Sequence, residues 1–226
     1  MEAEGMRLIL IRHGDPDYDR DCLTEKGHGE ARLLAQRLMK EDIDIVFSSP
    51  LGRAQETAKY YADLSGIDEV RVLDFMEEIR YGREEALYES GNPWFGVQDL
   101  ISEGWDARDS NWQEHPFFVD NTCTVDARNI FGKADEWLAL QGYKREGLYY
   151  RNTGGGLADK NIALFCHGGS ITAFMSHVLN IPFPQALAML HLKHTSVTIL
   201  RFDKEEGSLA VPILELVNDY AHLKEL

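Results

Sequence analysis

Leu8-Ile9-Leu10-Ile11-Arg12-His13-Gly14 is an aliphatic run that ends in two groups able to carry positive charge, followed by a glycine. Continuous apolar runs of this kind read as strands buried on both faces of a parallel sheet. Such a strand gains nothing from a terminal arginine and histidine, so something beyond its end must meet those charges. The same ending recurs in NIALFCHGG, residues 161–169, where His167 again precedes glycine. Glycine suits a point where the backbone turns or lets another group come close. In open α/β sheets, ligands sit beyond the carboxyl ends of the strands, so His13 and His167 are expected to face each other across one site.

Working outward, strand and helix patterns alternate at both ends of the chain, the signature of a parallel sheet covered by helices. Met6–Ile11 reads as the first strand. From Thr24, a plausible N-cap, the residues Ala31, Leu34, Ala35 and Leu38 follow helical spacing, and DIDIVFSS (42–49) reads as a second strand. PLGRAQETAKYYADL (50–64) starts with proline and sets Ala54, Ala58, Tyr61 and Ala62 on one helical face. EVRVLD (69–74) is a short third strand. SITAFMSHVLN (170–180) reads as a helix, and SVTILRFD and LAVPILELV close the chain as strands, with an antiparallel edge as one arrangement.

Between about Gly82 and Gly156 the pattern loosens, and this stretch holds all four tryptophans. TVDARNIFGKADEWLALQGY (124–143) is its clearest helix. The fold expected is a three-layer α/β/α sandwich with a mostly parallel central sheet. The whole chain, 1–226, is read as a single domain with a helical insertion at about 83–156 packed on the sheet.

The totals agree with this. A chain of 226 residues can bury a substantial core, and 44% hydrophobic with 27% charged residues is ordinary globular composition. A net charge of −15 argues against a nucleic-acid or anionic-membrane surface, because those are met by Lys and Arg. An anionic ligand would therefore need a local pocket that overrides the field of the molecule. Cys22, Cys123 and Cys166 are widely spaced and odd in number, which speaks against a disulfide or zinc framework. Absence of a signal-peptide pattern and of a long apolar run makes the cytoplasm the expected location.

Two further stretches carry chemistry. In SSPLGRAQETA (48–58), Arg53 follows Pro50 and Gly52 at a helix start, where free N–H groups and the helix dipole favour an anion and a guanidinium matches phosphate oxygens. Pairing of Arg53 with Glu56 is the competing expectation. MEEIRYGREE (76–85) supplies a carboxyl group that can donate a proton if burial raises its pKa. Together the parts suit phosphoryl transfer: a neutral histidine attacks phosphorus, arginines and the second histidine hold the oxygens, and an acid protonates the departing alcohol.

RHG (12–14), LTEKG (23–27), SSPLGRAQETA, EIRYG (78–82) and CHGG (166–169), in that order, closely resemble the motifs of the histidine phosphatase superfamily, the phosphoglycerate-mutase-like fold. The resemblance covers roughly residues 6–82 and 160–202. It implies His13 as nucleophile, with Arg12, Arg53 and His167 binding the phosphoryl group and Gly168 offering its N–H. The acid it implies is Glu78, four residues before the glycine of EIRYG, with Glu77 as the near alternative. The position where many members carry a phosphate-contacting asparagine is Asp19 here; a carboxylate repels a dianion, so Asp19 is expected to point away, be neutralised, or contact another part of the substrate.

The resemblance implies a metal-independent phosphatase acting on a small phosphomonoester through a phosphohistidine, with no cofactor and no metal site. A cofactor-dependent mutase is one alternative, although the Trp-Asn and Gly-Trp-x-Asp stretches typical of mutases are missing from DPDYDRDCLT (15–24). A non-catalytic phospho-ligand or partner-binding protein of the same fold is the other. Trp94, Phe95, Trp105, Trp112, Phe117, Phe118, Tyr149 and Tyr150 are expected mainly as core. Lys144, Arg145 and Arg151 are expected in exposed salt bridges, and Cys166 as a buried, inert thiol.

Overall fold

A computed structural model describes residues 5–82, 91–203 and 205–225 of the chain. Its strands are β1 (Arg7–Arg12), β2 (Pro16–Asp17), β3 (Cys22–Leu23), β4 (Ile45–Ser48), β5 (Val70–Val72), β6 (Tyr143–Glu146), β7 (Tyr149–Asn152), β8 (Asn161–Cys166), β9 (Val197–Arg201), β10 (Leu209–Ala210) and β11 (Ile213–Asp219). Its α-helices are α1 (Glu25–Leu38), α2 (Gly52–Ser65), α3 (Pro93–Ser102), α4 (Thr122–Leu140), α5 (Gly168–Val178) and α6 (Phe183–Met189).

The main sheet has the order β11-β9-β1-β8-β4-β5. The last four strands of that order run parallel, while β9 is antiparallel to both β1 and β11. Side-chain alternation along β1 explains the layering. Leu8 and Leu10 join one core with Leu164, Cys166 and Phe174, against α4 and α5; Ile9 and Ile11 join the other with Leu34, Ala58 and Phe165, against α1 and α2. The architecture is the three-layer α/β/α sandwich.

Local signals set the helix ends. Thr24 caps α1, its hydroxyl accepting from the Gly27 N–H at 3.1 Å. The α1 residues Ala31, Leu34, Ala35 and Leu38 are all buried. The single closing strand expected over LAVPILELV is instead two, because Pro212 cannot donate to a ladder. β10 pairs with β7, and β11 pairs with β9.

The segment between β5 and β8 supplies α3, α4 and the β6–β7 hairpin, and the expected start of the insertion at about 83 falls outside the described residues. Trp112, Phe117, Phe118 and Tyr150 are buried there, whereas Phe95 is 67% exposed. Arg151 forms the expected surface ion pair, with Glu146 at 2.7 Å. Cys166 is fully buried and its thiol pKa is pushed up by that burial. Among the described residues, no helix is long and apolar enough to cross a membrane.

Candidate active site

β1 and β8 are neighbours in register, Arg12 opposite Cys166, so their two His-Gly endings emerge side by side. The His13 N–H donates to the Cys166 carbonyl at 2.9 Å, and the two imidazoles lie 5.1 Å apart between centroids. His13 Nδ1 is 2.7 Å from the Gly14 carbonyl oxygen. A carbonyl only accepts, so Nδ1 carries the proton and Nε2 presents a lone pair. His167 Nε2 is 2.7 Å from Ser49 Oγ, at the end of neighbouring β4, while the Nδ1 atom is buried without a partner.

The arginines enter from two other directions. Arg53, in the first turn of α2, bonds through Nη1 to Asp21 Oδ1, and the same carboxylate accepts from the Gly52 N–H at 2.7 Å. The partner of Arg53 is thus Asp21, not Glu56, whose carboxylate accepts from the Leu23 N–H at 2.7 Å. Gly52 is required by crowding, since a Cβ there would stand 2.2 Å from the Asp21 carbonyl oxygen. Arg12 donates from Nη1 to the Leu192 carbonyl at 2.6 Å. The Nε atoms of Arg12 and Arg53 are both buried and unpartnered.

Glu78 lies between the buried anchors Met76 and Ile79, while Glu77 is exposed. Its Oε1 accepts from the N–H groups of Ile79, Gly169 and Ser170 at 2.9, 2.9 and 3.1 Å, docking the carboxyl group on the first turn of α5. Only glycine fits at 169, because a Cβ there would lie 2.5 Å from Glu78 Oε1 and 2.4 Å from Ile79 Cγ1. Oε2 is left to hold a proton.

Burial dominates the electrostatics. It lowers the His13 pKa to about 3, helped by the Arg12 and Arg53 charges, and lowers that of His167 to about 2. Both rings are therefore neutral at pH 7. Burial raises the pKa of Glu78 against the pull of its N–H partners and of the arginines.

A cleft of about 770 Å³ is lined by two of these groups, Arg12 and Glu78, with Gly168, Tyr18, Trp94 and His194 among others; His13, Arg53 and His167 are buried and are not among its lining residues. Asp19 is exposed and is not among the residues lining the cleft. Asp21, Ser49, Gly169 and His194 were not singled out by the sequence reading. His194 had one usable signal: it precedes a strand antiparallel to β1, and such a strand starts where β1 ends.

The family model for the histidine phosphatase superfamily (branch 1) matches residues 8–118 and 153–212. The chain belongs to that superfamily. It is 36% identical over 230 residues to the Yersinia pestis protein named "Probable phosphoglycerate mutase GpmB", covering 96% of this chain and 95% of that one. It is 29% identical over 144 residues to phosphoserine phosphatase 1 of Hydrogenobacter thermophilus, covering 59% and 63%. A solved structure of an Entamoeba histolytica phosphoserine phosphatase mutant in complex with phosphoserine superposes with a TM-score of 0.66 at 25% identity, covering 96% and 99%. Family, fold and relatives together make the chain a phosphoric monoester hydrolase of the histidine-phosphatase type.

Proposed function

We propose that the protein hydrolyses a small phosphomonoester without a metal, through a phosphoryl group carried on His13 Nε2. The observation that carries this reading is the set of buried, unpartnered nitrogens around His13: Arg12 Nε, Arg53 Nε and His167 Nδ1. Buried polar groups are nearly always hydrogen-bonded, so a cluster of them marks a place where a ligand supplies the acceptors. Arg12 Nε and Arg53 Nε are N–H donors suited to phosphoryl oxygens, and His167 Nδ1 joins them in the tautomer in which Ser49 Oγ donates to Nε2.

In the first step the His13 Nε2 lone pair attacks phosphorus, and the bond to the ester oxygen breaks. Glu78 gives its proton from Oε2 to that oxygen, and a neutral alcohol leaves. The guanidinium charges of Arg12 and Arg53 stabilise the phosphoryl oxygens as charge shifts. Water, entering where the alcohol left, then gives a proton to the Glu78 carboxylate as its oxygen attacks phosphorus; the P–N bond breaks, its electron pair returns to His13 Nε2, and phosphate is released. Phosphoserine is the first substrate to test, because it is the ligand of the amoebic structure; Lys193 on the cleft wall offers a cation to its carboxylate. The similarity to a mutase-named protein favours a second reading, in which the phosphoryl group returns to another hydroxyl.

Turnover of p-nitrophenyl phosphate in EDTA tests the route. The wild type is expected to turn over and to yield an acid-labile, alkali-stable adduct on quenching, and His13→Ala to lose both. An adduct on a serine or an aspartate, or activity retained in His13→Ala, would sink the reading. Recovery of phosphate in water rather than of a phosphorylated acceptor separates the phosphatase from the mutase.

A further inference from the structure

Glu78 fixes where the departing alcohol lies. Its proton goes to the ester oxygen, so the rest of the alcohol extends from there into the cleft that Glu78 and Arg12 line. At about 770 Å³ that cleft falls in the range of about 300–1,000 Å³ that encloses drug-sized ligands, far more than a three-carbon alcohol requires.

Its walls are apolar and aromatic, built by Tyr18, Tyr81, Trp94 and Phe95 with Leu190 and Leu192. Tyr18, Tyr81 and Phe95 are 66%, 49% and 67% exposed. Apolar residues exposed singly are ordinary on a soluble protein, whereas several gathered on one concave wall mark a binding surface. Local structure presents them. Trp94 and Phe95 stand in the first turn of α3, which Pro93 opens and the Asn92 side chain caps, its Oδ1 accepting from the Trp94 N–H at 3.0 Å. Trp94 packs partly on the core and meets Tyr81 edge to face at 6.4 Å, which leaves Phe95 turned outward. Tyr18 ties this wall to the phosphoryl site, because the Arg53 guanidinium stands 5.3 Å from its ring centroid.

The polar groups of the cleft do not suit a polyol. Glu78 is committed to the proton, Asn92 Oδ1 to the cap, Arg12 Nη1 to the Leu192 carbonyl, and His194 Nδ1 faces Asp15. His191 and Lys193, both exposed, are left for a single polar substituent. A sugar needs a partner for each buried hydroxyl, and rings and leucines supply none. We propose that the alcohol of the substrate carries a planar aromatic ring, which packs against Phe95, Trp94 and Tyr18 while the phosphoryl group meets Arg12 and His13. Such a ring gains from the area it removes from water and from ring-to-ring geometry; an amino-acid alcohol such as serine gains neither.

This inference rests on the phosphatase reading, and the comparison separates the two. p-Nitrophenyl phosphate does not serve, because its leaving group is activated as well as aromatic. 2-Phenylethyl phosphate and ethyl phosphate release unactivated alcohols of nearly equal acidity and differ by the ring alone. In wild type, kcat/KM is expected to be roughly tenfold or more higher for the ring ester than for ethyl phosphate or phosphoserine, the discrimination an apolar pocket provides. Phe95→Ala, at an exposed position, is expected to cut that preference roughly fivefold without lowering the thermal midpoint. Calorimetry with the non-hydrolysable 2-phenylethylphosphonate and ethylphosphonate is expected to give the same order of affinity with no turnover needed. Equal kcat/KM for the two esters, a preference for phosphoserine, or a preference that survives in Phe95→Ala would overturn the ring assignment and leave the phosphatase intact. A folded wild type that turns over none of the esters would overturn the phosphatase reading instead, and equal affinity for the two phosphonates would then overturn the ring assignment as well.

Discussion

Glu78 shows how one side chain is placed for opposite demands. Three N–H groups on Oε1 favour the carboxylate, while burial favours the acid and prevails, so the folded pKa stands above its ordinary value of 4.5. A donor must be protonated, so its contribution is present at low pH and is lost as pH rises through that raised value. In the proposed reaction His13 works in the other direction: it would attack as a neutral ring and, with a pKa lowered to about 3 by burial, would stay competent down to acid pH. A bell-shaped profile follows for a chemistry-limited alkyl phosphate, with its acid limb near pH 3 and its basic limb above pH 4.5. Glu78→Gln is expected to lose the basic limb and about 10²- to 10³-fold in kcat, with much less loss on p-nitrophenyl phosphate. A profile flat from pH 5 to 9 in wild type would contradict the assignment. At this scale the family resemblance implies Glu78 with Glu77 as the alternative, and the exposure of Glu77 cannot be read from two adjacent glutamates.

At the scale of elements, the first turn of α5 does two jobs. His167 occupies its N-cap position, and the N–H groups of Gly169 and Ser170 hold the Glu78 carboxylate. Alanine is a better helix former than glycine by about 1 kcal/mol, so helix propensity alone would make Gly169→Ala stabilising. The crowding against Glu78 and Ile79 reverses that sign, and overpacking of this kind costs about 1–3 kcal/mol. Because the carboxylate is the more movable neighbour, Gly169→Ala is expected to reduce kcat on an alkyl phosphate more than tenfold while lowering the thermal midpoint by only a few degrees. Unchanged kcat would show that the docking of Glu78 does not matter. The second glycine of CHGG is visible in the sequence; its purpose is not, because the group it makes room for is 91 residues away. The α1 and α2 patterns, in contrast, were legible because Thr24, Leu34 and Ala58 act within their own helices.

For the whole molecule, burying neutral histidines couples folding to pH. The unfolded chain binds a proton at each near pH 6.5, whereas folded His13 and His167 resist it to about 3 and about 2. Stability is therefore full above about 6.5 and falls with acidification, by up to about 1.4 kcal/mol per pH unit for each such histidine. Urea midpoints measured from pH 7 to 4.5 are expected to fall less steeply for His167→Asn than for wild type; equal slopes would mean that the ring is not held neutral. The sequence by itself determined the class of fold, the strands ending in His13 and His167, and the arginines and glutamate of the motifs, because those signals are local periodicity and short spacings. Only the tertiary structure decided that Asp21 rather than Glu56 holds Arg53, that Asp19 stands exposed outside the lining of the cleft, and that His194 stands beside His13. His194 reaches His13 because β9 lies beside β1, and Asp21 reaches Arg53 because the β2–β3 loop lies against the start of α2; contacts between segments so far apart leave no trace in the spacing of a single chain.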